Sequence, residues 1–421
     1  MATAADPGDD TIGPHQALVD KLMSAGYITT AHVEAAFRAV PRHPFLPGVA
    51  LDIVYSDEAI PTKWLDNGQA ISSSSQPAIM AIMLEQLGLE PGMRVLEIGA
   101  GTGYNAALIA TIVGAAGQVV VIDIDEDIVA NARTQLAAVG LDRVQVVCGD
   151  GGFGYPSAAP YDRIILTVGA WDIAPAWREQ LKPNGRILLP LSLNGPQMAV
   201  ALAPAGGHLE SVSIRNCGFM RLRGAFAGPE TRVPLGPDPG LSLDLAHDRA
   251  VDAAAVYASL IGTSRDWATG IVVVPDEVWG GLSLWLAIRE PSLFGLSAEG
   301  ALVDSGIVPY LFGFARPVPS CFTSGLLDEA CPCVLMRPQG LPPATDAPDA
   351  PPAFELFVRS FGPQDTLAQR LIDQIAAWDA VGRPATRDLH IQAYPHDSDY
   401  APLANEVVIP KRWTQLVLSW E

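Results

Sequence analysis

The sequence has few cysteines, few basic residues and no long apolar run. Its five cysteines among 421 residues form no paired framework, which favours a reducing compartment and predicts a cytoplasmic protein. Lysine and arginine number 26 against 46 acidic residues, and the resulting formal net charge of -20 argues against a nucleic-acid partner. No stretch is long and apolar enough to cross a membrane. We therefore expect neither nucleic acid nor membrane as a partner.

The length and composition predict more than one domain with a substantial core. Hydrophobic residues make up 49% of the chain and charged residues 17%. Residues 1–14 are polar and acidic without the apolar core of a signal peptide, so we expect them to be flexible. Residues 15–224 are expected to form a first domain, and 225–240, rich in proline and glycine, a linker. Residues 241–421 would then form a second, α+β domain.

The most informative segment is an apolar strand that leads through a glycine loop into an alanine-rich helix. The strand Val95–Ile98 is followed by three alternating glycines, Gly99, Gly101 and Gly103, and then by Tyr104. Glycines permit a tight turn and a close approach of the backbone to a ligand, because they have no Cβ. This pattern is typical of a nucleotide-type cofactor site at the first strand–helix turn of a doubly wound α/β sheet.

Acidic residues at the strand ends favour S-adenosylmethionine over a nicotinamide dinucleotide. Glu97 would repel a pyrophosphate but attract the ammonium and sulfonium groups of S-adenosylmethionine. The GxGxG spacing also lacks the wider GxGxxG of the dinucleotide fingerprint. Asp123 ends the next strand, about twenty residues on, where a ribose-binding carboxylate is expected. Asp150 follows the third strand and can accept a hydrogen bond from the adenine amine, and the fourth strand, 163–168, supplies the floor of the reaction site.

No metal site is predicted. The run Asp123–Asp127 looks like the start of a calcium loop, but Ile128 stands where that loop needs glycine. Cys321, Cys331 and Cys333 lack a CxxC pair and a clear fourth ligand, so we expect them to be small buried residues.

Four ordered motifs resemble the protein-L-isoaspartate O-methyltransferase family over about residues 15–224, roughly half of the chain. The resemblance implies a Rossmann-like class I methyltransferase sheet preceded by N-terminal helices. It also implies transfer of a methyl group from S-adenosylmethionine to a peptide carboxylate, with S-adenosyl-L-homocysteine as product. The motifs are Val40-Pro41-Arg42-His43, Tyr55-Ser56-Asp57-Glu58-Ala59-Ile60-Pro61, Gly68-Gln69-Ala70-Ile71-Ser72-Ser73-Ser74-Ser75-Gln76-Pro77 and Gly149-Asp150-Gly151.

In that family the Gly-Gln-x-Ile-Ser motif places a serine beside the substrate carboxylate. Here extra serines expand the motif, so the resemblance implies an active serine among Ser72, Ser73, Ser74 and Ser75. The serine would orient the carboxylate and not attack it, because an ionised carboxylate needs no general base. The alternative role for these four serines is a polar loop that caps the following helix. The predicted cofactor-binding residues are Gln69, Glu97, Gly99, Gly101, Gly103, Tyr104, Asp123, Ile124, Asp150, Gly151 and Thr167.

The C-terminal half departs from the common members of that family. A C-terminal extension together with a serine-rich motif resembles the branch that modifies ribosomally made lanthipeptide or graspetide precursors. In that branch an aspartate is methylated and the ester closes to a succinimide (aspartimide). The prediction is thus a peptide methyltransferase whose residues 241–421 recognise a precursor peptide. General isoaspartyl repair and a non-catalytic S-adenosylmethionine-binding peptide escort are the alternatives.

Overall fold

The computed structural model describes residues 9–66, 68, 70–314, 318–338, 353–362 and 365–420. A π-helical turn, Val278–Leu282, joins the ninth and tenth of the helices named below. The helices are α1 (Asp9–Ser24), α2 (Ala31–Ala39), α3 (Leu51–Val54), α4 (Pro77–Leu87), α5 (Tyr104–Val113), α6 (Glu126–Ala138), α7 (Pro175–Glu179), α8 (Ala253–Leu260), α9 (Pro275–Glu277), α10 (Ser283–Arg289), α11 (Leu302–Ser305) and α12 (Thr366–Ala380). The strands are β1 (Ile60–Trp64), β2 (Ala70–Ser74), β3 (Arg94–Ile98), β4 (Gln118–Asp123), β5 (Gln145–Cys148), β6 (Tyr161–Leu166), β7 (Leu181–Ser192), β8 (Gln197–Ala205), β9 (His208–Cys217), β10 (Thr231–Pro234), β11 (Leu241–Leu245), β12 (Ser264–Val273), β13 (Leu293–Glu299), β14 (Phe312–Phe314), β15 (Ser320–Asp328), β16 (Cys331–Met336), β17 (Phe354–Phe361), β18 (Leu389–Pro395), β19 (Val407–Pro410) and β20 (Thr414–Trp420).

The first large sheet confirms the predicted class I methyltransferase architecture. Its strand order over the described residues is β19-β20-β18-β9-β8-β7-β6-β3-β4-β5. The strands from β7 to β5 are parallel, and those from β8 outward are antiparallel. Both faces are covered, because Val95 packs into the core with the N-terminal helices while Leu96 and Ile98 pack into the core that contains Trp177 of α7.

The second sheet confirms the expected α+β character of the C-terminal half. Its order is β10-β11-β13-β15-β16-β17-β12, with β14 paired to β15, and the pairs are antiparallel. The α12 side chains Leu371, Ile375 and Trp378 share a core with one face of this sheet. Val256 and Leu260 of α8 share a core with the other face.

The last three strands correct the expected division of the chain. β18 pairs with β9, and so β18, β20 and β19 extend the first sheet and not the second. Their apolar side chains fill the core of the first sheet, which is the physical reason for their return. The backbone N–H of Trp413 also donates to Asp172 Oδ2 at 2.6 Å, and Lys411 Nζ donates to the carbonyl oxygen of Ser192 at 3.1 Å. Residues 241–421 are therefore not one contiguous unit.

Two other boundaries shift. The segment 225–240, expected to be a linker, contains β10, which forms the edge of the second sheet by pairing with β11. Helix α1 begins at Asp9, inside the segment 1–14 that was expected to be flexible, while residues 1–8 lie outside the described residues. Among the described helices, none combines the length and the apolar character that a bilayer crossing requires.

Candidate active site

The carboxyl edge of the parallel strands opens into a cavity of about 500 Å³. Glu97 at the end of β3, Asp123 at the end of β4, Gly151 after β5 and Thr167 after β6 line it, and Ser72–Ser75 form an opposing wall. Parallel strands bring their carboxyl ends to one edge, which is why residues so far apart in sequence meet there. The structure therefore brings most of the predicted site residues together.

The glycine loop, 99–103, lies directly against the segment Ser72–Ser75, which we call the serine strand because its first three residues belong to β2. Gly101 has a φ of +49°, and a Cβ added there would lie 3.1 Å from the carbonyl oxygen of Ser73. Gly99 has a φ of +102°, and a Cβ there would lie 2.6 Å from Thr167 Oγ1. Thr167 Oγ1 in turn donates to the carbonyl oxygen of Gly99 at 2.7 Å. Only glycine satisfies both the backbone conformation and these close approaches.

Glu97 is a buried carboxyl group with one oxygen left for a ligand. Its side chain is 1% exposed, and Asn105 Nδ2 donates to Oε1 at 2.8 Å. Oε2 has no hydrogen-bond partner among the described residues. Burial, with a smaller contribution from the nearby Asp123 charge, raises the pKa of Glu97 to about 8. An unpartnered buried acceptor beside a glycine cradle fits a ligand that carries hydroxyl or ammonium donors, as S-adenosylmethionine does.

Asp123 is fixed by backbone donors at the mouth of the glycine loop. The N–H of Ala100 donates to Oδ2 at 2.9 Å, and the N–H of Asp125 donates to Oδ1 at 3.2 Å. Burial raises the pKa of Asp123. The next residue, Ile124, is 38% exposed and lines the cavity, so a carboxylate and an apolar surface stand side by side there.

Asp150 ties two loops together beside the cavity. Its Oδ1 accepts from the N–H of Gly152 at 2.9 Å, and its Oδ2 accepts from the N–H of Ala225 at 2.7 Å. Gly151 lines the cavity, whereas Asp150 is not among the lining residues. Each carboxylate oxygen keeps a second lone pair, so adenine recognition by Asp150 stays a prediction.

Tyr104 is largely a core residue. It is 3% exposed, and its ring centroid lies 6.4 Å from that of Phe37 and 5.4 Å from that of Phe45. Burial raises the pKa of its hydroxyl. From this packed position, Tyr104 also forms part of the cavity wall. Two predicted cofactor residues remain. Gly103 packs against α6, where an added Cβ would lie 3.3 Å from Leu136 Cγ, and does not line the cavity, and Gln69 lies outside the described residues.

The four serines differ in what their hydroxyl groups bind. Ser72 and Ser74 are buried. Ser72 Oγ accepts from Thr62 Oγ1, and Ser74 Oγ accepts from Arg42 Nη2, both at 3.3 Å. In the described part of the chain the hydroxyls of Ser73 and Ser75 have no hydrogen-bond partner. The hydroxyls of Ser73 and Ser75 are therefore free both to donate to and to accept from a substrate, whereas those of Ser72 and Ser74 are buried and already accept a hydrogen bond.

The helix-capping alternative for the serines is contradicted. Ser72–Ser74 lie in β2, and the first turn of α4 is capped from elsewhere. The N–H of Ala78 donates to Asp57 Oδ1 at 2.9 Å, and Gln76 Nε2 donates to the carbonyl oxygen of Asp57 at 3.1 Å. Asp57 thus caps the start of α4, which is the role that this alternative gave to the serines.

Arg42 is a positioning residue whose role the sequence did not reveal. It is fully buried, and burial lowers its pKa to about 10, so it is a cation at neutral pH. The motif around Arg42 was visible in the sequence, but nothing local indicated that it reaches the serine strand. Its guanidinium donates to the carbonyl oxygens of Val54 (2.9 Å), Ser56 (3.2 Å), Glu58 (3.1 Å), Ser74 (3.3 Å) and Ser75 (2.9 Å).

A further wall of the cavity comes from residues 216–223 and from Trp279. Trp279 lies in the π-helical turn, is 36% exposed, and packs edge-to-face on Phe312 with centroids 5.1 Å apart. Sequence reasoning missed this wall, because no local signal indicates that the segment after β9 or the π-helical turn reaches the cavity. π-turns often occur at functional sites, and this one brings an aromatic ring to the site.

The acidic run after β4 is neutralised by cations. Asp125 lies 3.2 Å from Lys63 Nζ and 2.5 Å from Arg223 Nη2, and Asp127 lies 2.6 Å from Lys63. Over the described residues, no group of three or more histidine, cysteine, aspartate or glutamate side chains is arranged to hold a metal ion. Cys321 and Cys333 are buried, as expected, whereas Cys331 is only partly buried.

The N-terminal half of the chain matches one protein family. The family profile of "Protein-L-isoaspartate(D-aspartate) O-methyltransferase (PCMT)" matches residues 13–225. A protein-L-isoaspartate O-methyltransferase of Methanopyrus kandleri is 43% identical over 218 residues, which cover 51% of this chain and 94% of that protein. One of Thermotoga maritima is 42% identical over 168 residues, 40% of this chain, and the match spans only 52% of that relative's length.

Solved structures resemble the chain more weakly. One titled protein-L-isoaspartate O-methyltransferase aligns with a TM-score of 0.49 and 22% identity, and the alignment covers 90% of this chain and 96% of that one.

Proposed function

Because the chain belongs to the protein-L-isoaspartate(D-aspartate) O-methyltransferase family, we propose that it transfers the methyl group of S-adenosylmethionine to a carboxylate of a peptide. The observation that carries the proposal is the contact between the glycine loop and the serine strand. A Cβ on Gly101 would lie 3.1 Å from the carbonyl oxygen of Ser73, so the cofactor loop and the substrate-orienting strand share one cavity.

The cofactor would be held by the strand ends. Glu97 Oε2 and Asp123 supply acceptors for its hydroxyl and ammonium groups, the glycine loop supplies the cradle, and Ile124 supplies an apolar surface. Thr167 fixes the glycine loop by donating to Gly99. When bound, S-adenosylmethionine supplies an electrophilic methyl group on a sulfonium sulfur.

The serine strand would orient the accepting carboxylate. Ser73 and Ser75 present hydroxyls that have no protein partner in the described part of the chain, and Arg42 fixes the backbone that carries them. A carboxylate of ordinary pKa, about 4, is already ionised at neutral pH, so no side chain must remove a proton. The task of the site is alignment and exclusion of water.

The ester formed in this step is reactive on its own. The following backbone nitrogen attacks the ester carbonyl carbon, the new N–C bond forms, and methanol leaves with the nitrogen's proton. The product is a succinimide. An isoaspartyl substrate is thereby routed toward repair, and an aspartyl substrate gains an aspartimide.

Two substrates compete for this assignment. An isoaspartyl residue of a protein is the substrate that the relatives' names give. An aspartate in a ribosomally made precursor peptide is favoured by one observation: Trp279 lines the cavity but lies beyond residue 225, where the family match ends. Residues that follow the methyltransferase core thus have a place from which to select a peptide.

The two substrates are separated by offering the protein a short isoaspartyl peptide and a conformationally constrained aspartyl peptide. Mass spectrometry would follow the gain of one methyl group and the later loss of methanol. Efficient methylation of generic isoaspartyl peptides alone would exclude the precursor assignment.

The variant Trp279→Ala should weaken peptide selection, while Trp279→Phe, which keeps an aromatic ring, should retain most of it.

A further inference from the structure

Among the described residues, the cavity wall contains an arginine, Arg221, that has only a weak carboxylate partner. Among the described residues that line the cavity, Arg221 and Arg223 carry positive side chains. Arg223 is bound to Asp125 at 2.5 Å. The ion pair of Arg221 is long, 3.4 Å from its Nη2 to Asp244 Oδ1. The side chain of Arg221 is 40% exposed.

The partner of Arg221 is already engaged by another arginine. Arg232 Nε lies 3.1 Å from Asp244 Oδ1, and Arg232 Nη2 lies 3.2 Å from Oδ2. This two-point contact is the strong form of an arginine–carboxylate pair. Asp244 is therefore satisfied without Arg221, whose guanidinium keeps donors for a ligand in the cavity.

The backbone at Arg221 is held rigidly. The N–H of Gly169 donates to the carbonyl oxygen of Met220, and the N–H of Leu222 donates to the carbonyl oxygen of Gly169, both at 2.7 Å. A Cβ on Gly169 would lie 2.3 Å from Gln197 Nε2, so the loop after β6 packs closely against the start of β8. A fixed backbone under a partly free side chain is what a binding residue requires.

We infer that Arg221 binds a carboxylate of the peptide substrate, an inference that rests on the proposed carboxyl methylation. A chain with a net charge of -20 repels an anionic acceptor, and a local guanidinium opposes that repulsion. The flat guanidinium also matches a carboxylate at two points. The carboxylate has two sources, the accepting group itself or an acidic residue next to it in the peptide.

The test compares Arg221→Gln, Arg221→Lys and Arg265→Gln with the wild-type protein. Arg265→Gln is the matched control, because Arg265 is also an accessible arginine paired with an aspartate, Asp365 at 2.9 Å, but is absent from the cavity wall. An isoaspartyl peptide and a constrained aspartyl peptide are each made with neutral and with glutamate neighbours. KM and kcat are measured with whichever of the two peptides the wild-type protein methylates. The Kd of the same peptides is measured by fluorescence anisotropy on protein loaded with S-adenosylhomocysteine.

Arg221→Gln should raise KM and Kd about tenfold with little change in kcat, the loss expected for one charge-assisted contact. Arg221→Lys should restore part of the affinity, and Arg265→Gln should leave it unchanged. A loss for every peptide assigns Arg221 to the accepting carboxylate, and a loss only with glutamate neighbours assigns it to the neighbour.

Unchanged KM and Kd in Arg221→Gln, or an equal loss in Arg265→Gln, would overturn the inference. Failure of the wild type to methylate either acceptor contradicts the proposed function instead, and the inference falls with it. Binding of S-adenosylhomocysteine to each variant shows that the variant is folded.

Discussion

The buried guanidinium of Arg42 donates a hydrogen bond of 2.9 Å to the carbonyl oxygen of Ser75, 33 residues further along the chain. The same group also binds the carbonyl oxygens of Val54, Ser56 and Glu58. One side chain therefore ties the segment before β1 to the serine strand. The placement of the serine hydroxyls depends on this buried cation.

Replacing Arg42 should destabilise the protein. Arg42→Met leaves several buried carbonyl oxygens without donors, and we expect the free energy of unfolding to fall by ~3 kcal/mol or more. Chemical denaturation measures this loss. Arg38→Gln is the control, since Arg38 pairs with Asp20 and Glu34 at the surface and should change stability by ~1 kcal/mol or less. Equal effects of the two variants would contradict the structural role of Arg42.

The serine variants should fall into two classes. Ser73→Ala and Ser75→Ala remove the hydroxyls that have no protein partner in the described residues, so at least one should lower kcat/KM by about tenfold or more. Ser72→Ala removes a hydroxyl already bound by Thr62 and should have a smaller effect. Steady-state kinetics with the accepted peptide gives the comparison. A loss confined to Ser72→Ala would reverse the assignment.

Gly101→Ala should weaken cofactor binding. The added Cβ would meet the carbonyl oxygen of Ser73 at 3.1 Å in a backbone with positive φ, and we expect the Kd of S-adenosylhomocysteine to rise about tenfold or more. Gly114→Ala is the matched control, because Gly114 also has a positive φ but nothing within 4 Å of an added Cβ. Isothermal titration calorimetry should show near-normal affinity for that control. Similar losses in both would mean that backbone strain alone is responsible.

Glu97 should make the ligand-free protein less stable as pH rises. Burial raises its folded pKa to about 8, whereas the unfolded carboxyl titrates near pH 4.3. The contribution of Glu97 to the free energy of unfolding is thus fully present below the unfolded pKa and is lost progressively as the pH approaches 8. Glu97→Gln carries no charge, so its stability relative to wild type should increase from pH 5 to pH 8, by at most ~1.4 kcal/mol per pH unit.

The control for that titration is Glu90→Gln, at an exposed position. Denaturation curves at several pH values should show the wild-type pH profile for Glu90→Gln and a flatter one for Glu97→Gln. Parallel profiles for all three proteins would mean that Glu97 is not the group responsible.

The methyltransferase sheet and the position of its cavity were predictable because their signals are local. Strands β3, β4 and β6 are continuous apolar runs, and the acid at the end of β3 and the glycines after it are adjacent in sequence. Topology then places the strand ends at one edge. The identity of the free serine hydroxyls was not predictable, because it depends on Thr62 and Arg42 having already engaged the other two.

The contribution of the C-terminal half was not predictable, because it depends on contacts between distant segments. The hydroxyl of Thr414 donates to Asp172 at 2.5 Å across 242 residues, which anchors the start of β20 within the first sheet. Trp279 lies between β12 and β13, two strands of the second sheet, yet lines the cavity, and Arg221 is placed there by the pairing of its backbone with Gly169. Local patterns carry no information about such pairings.

The most direct test of the central claim is mass spectrometry of a peptide incubated with the protein and S-adenosylmethionine. The account predicts the gain of one methyl group on an isoaspartyl or constrained aspartyl residue, followed by loss of methanol to a succinimide. Binding of the cofactor with no methyl gain on either peptide would contradict it.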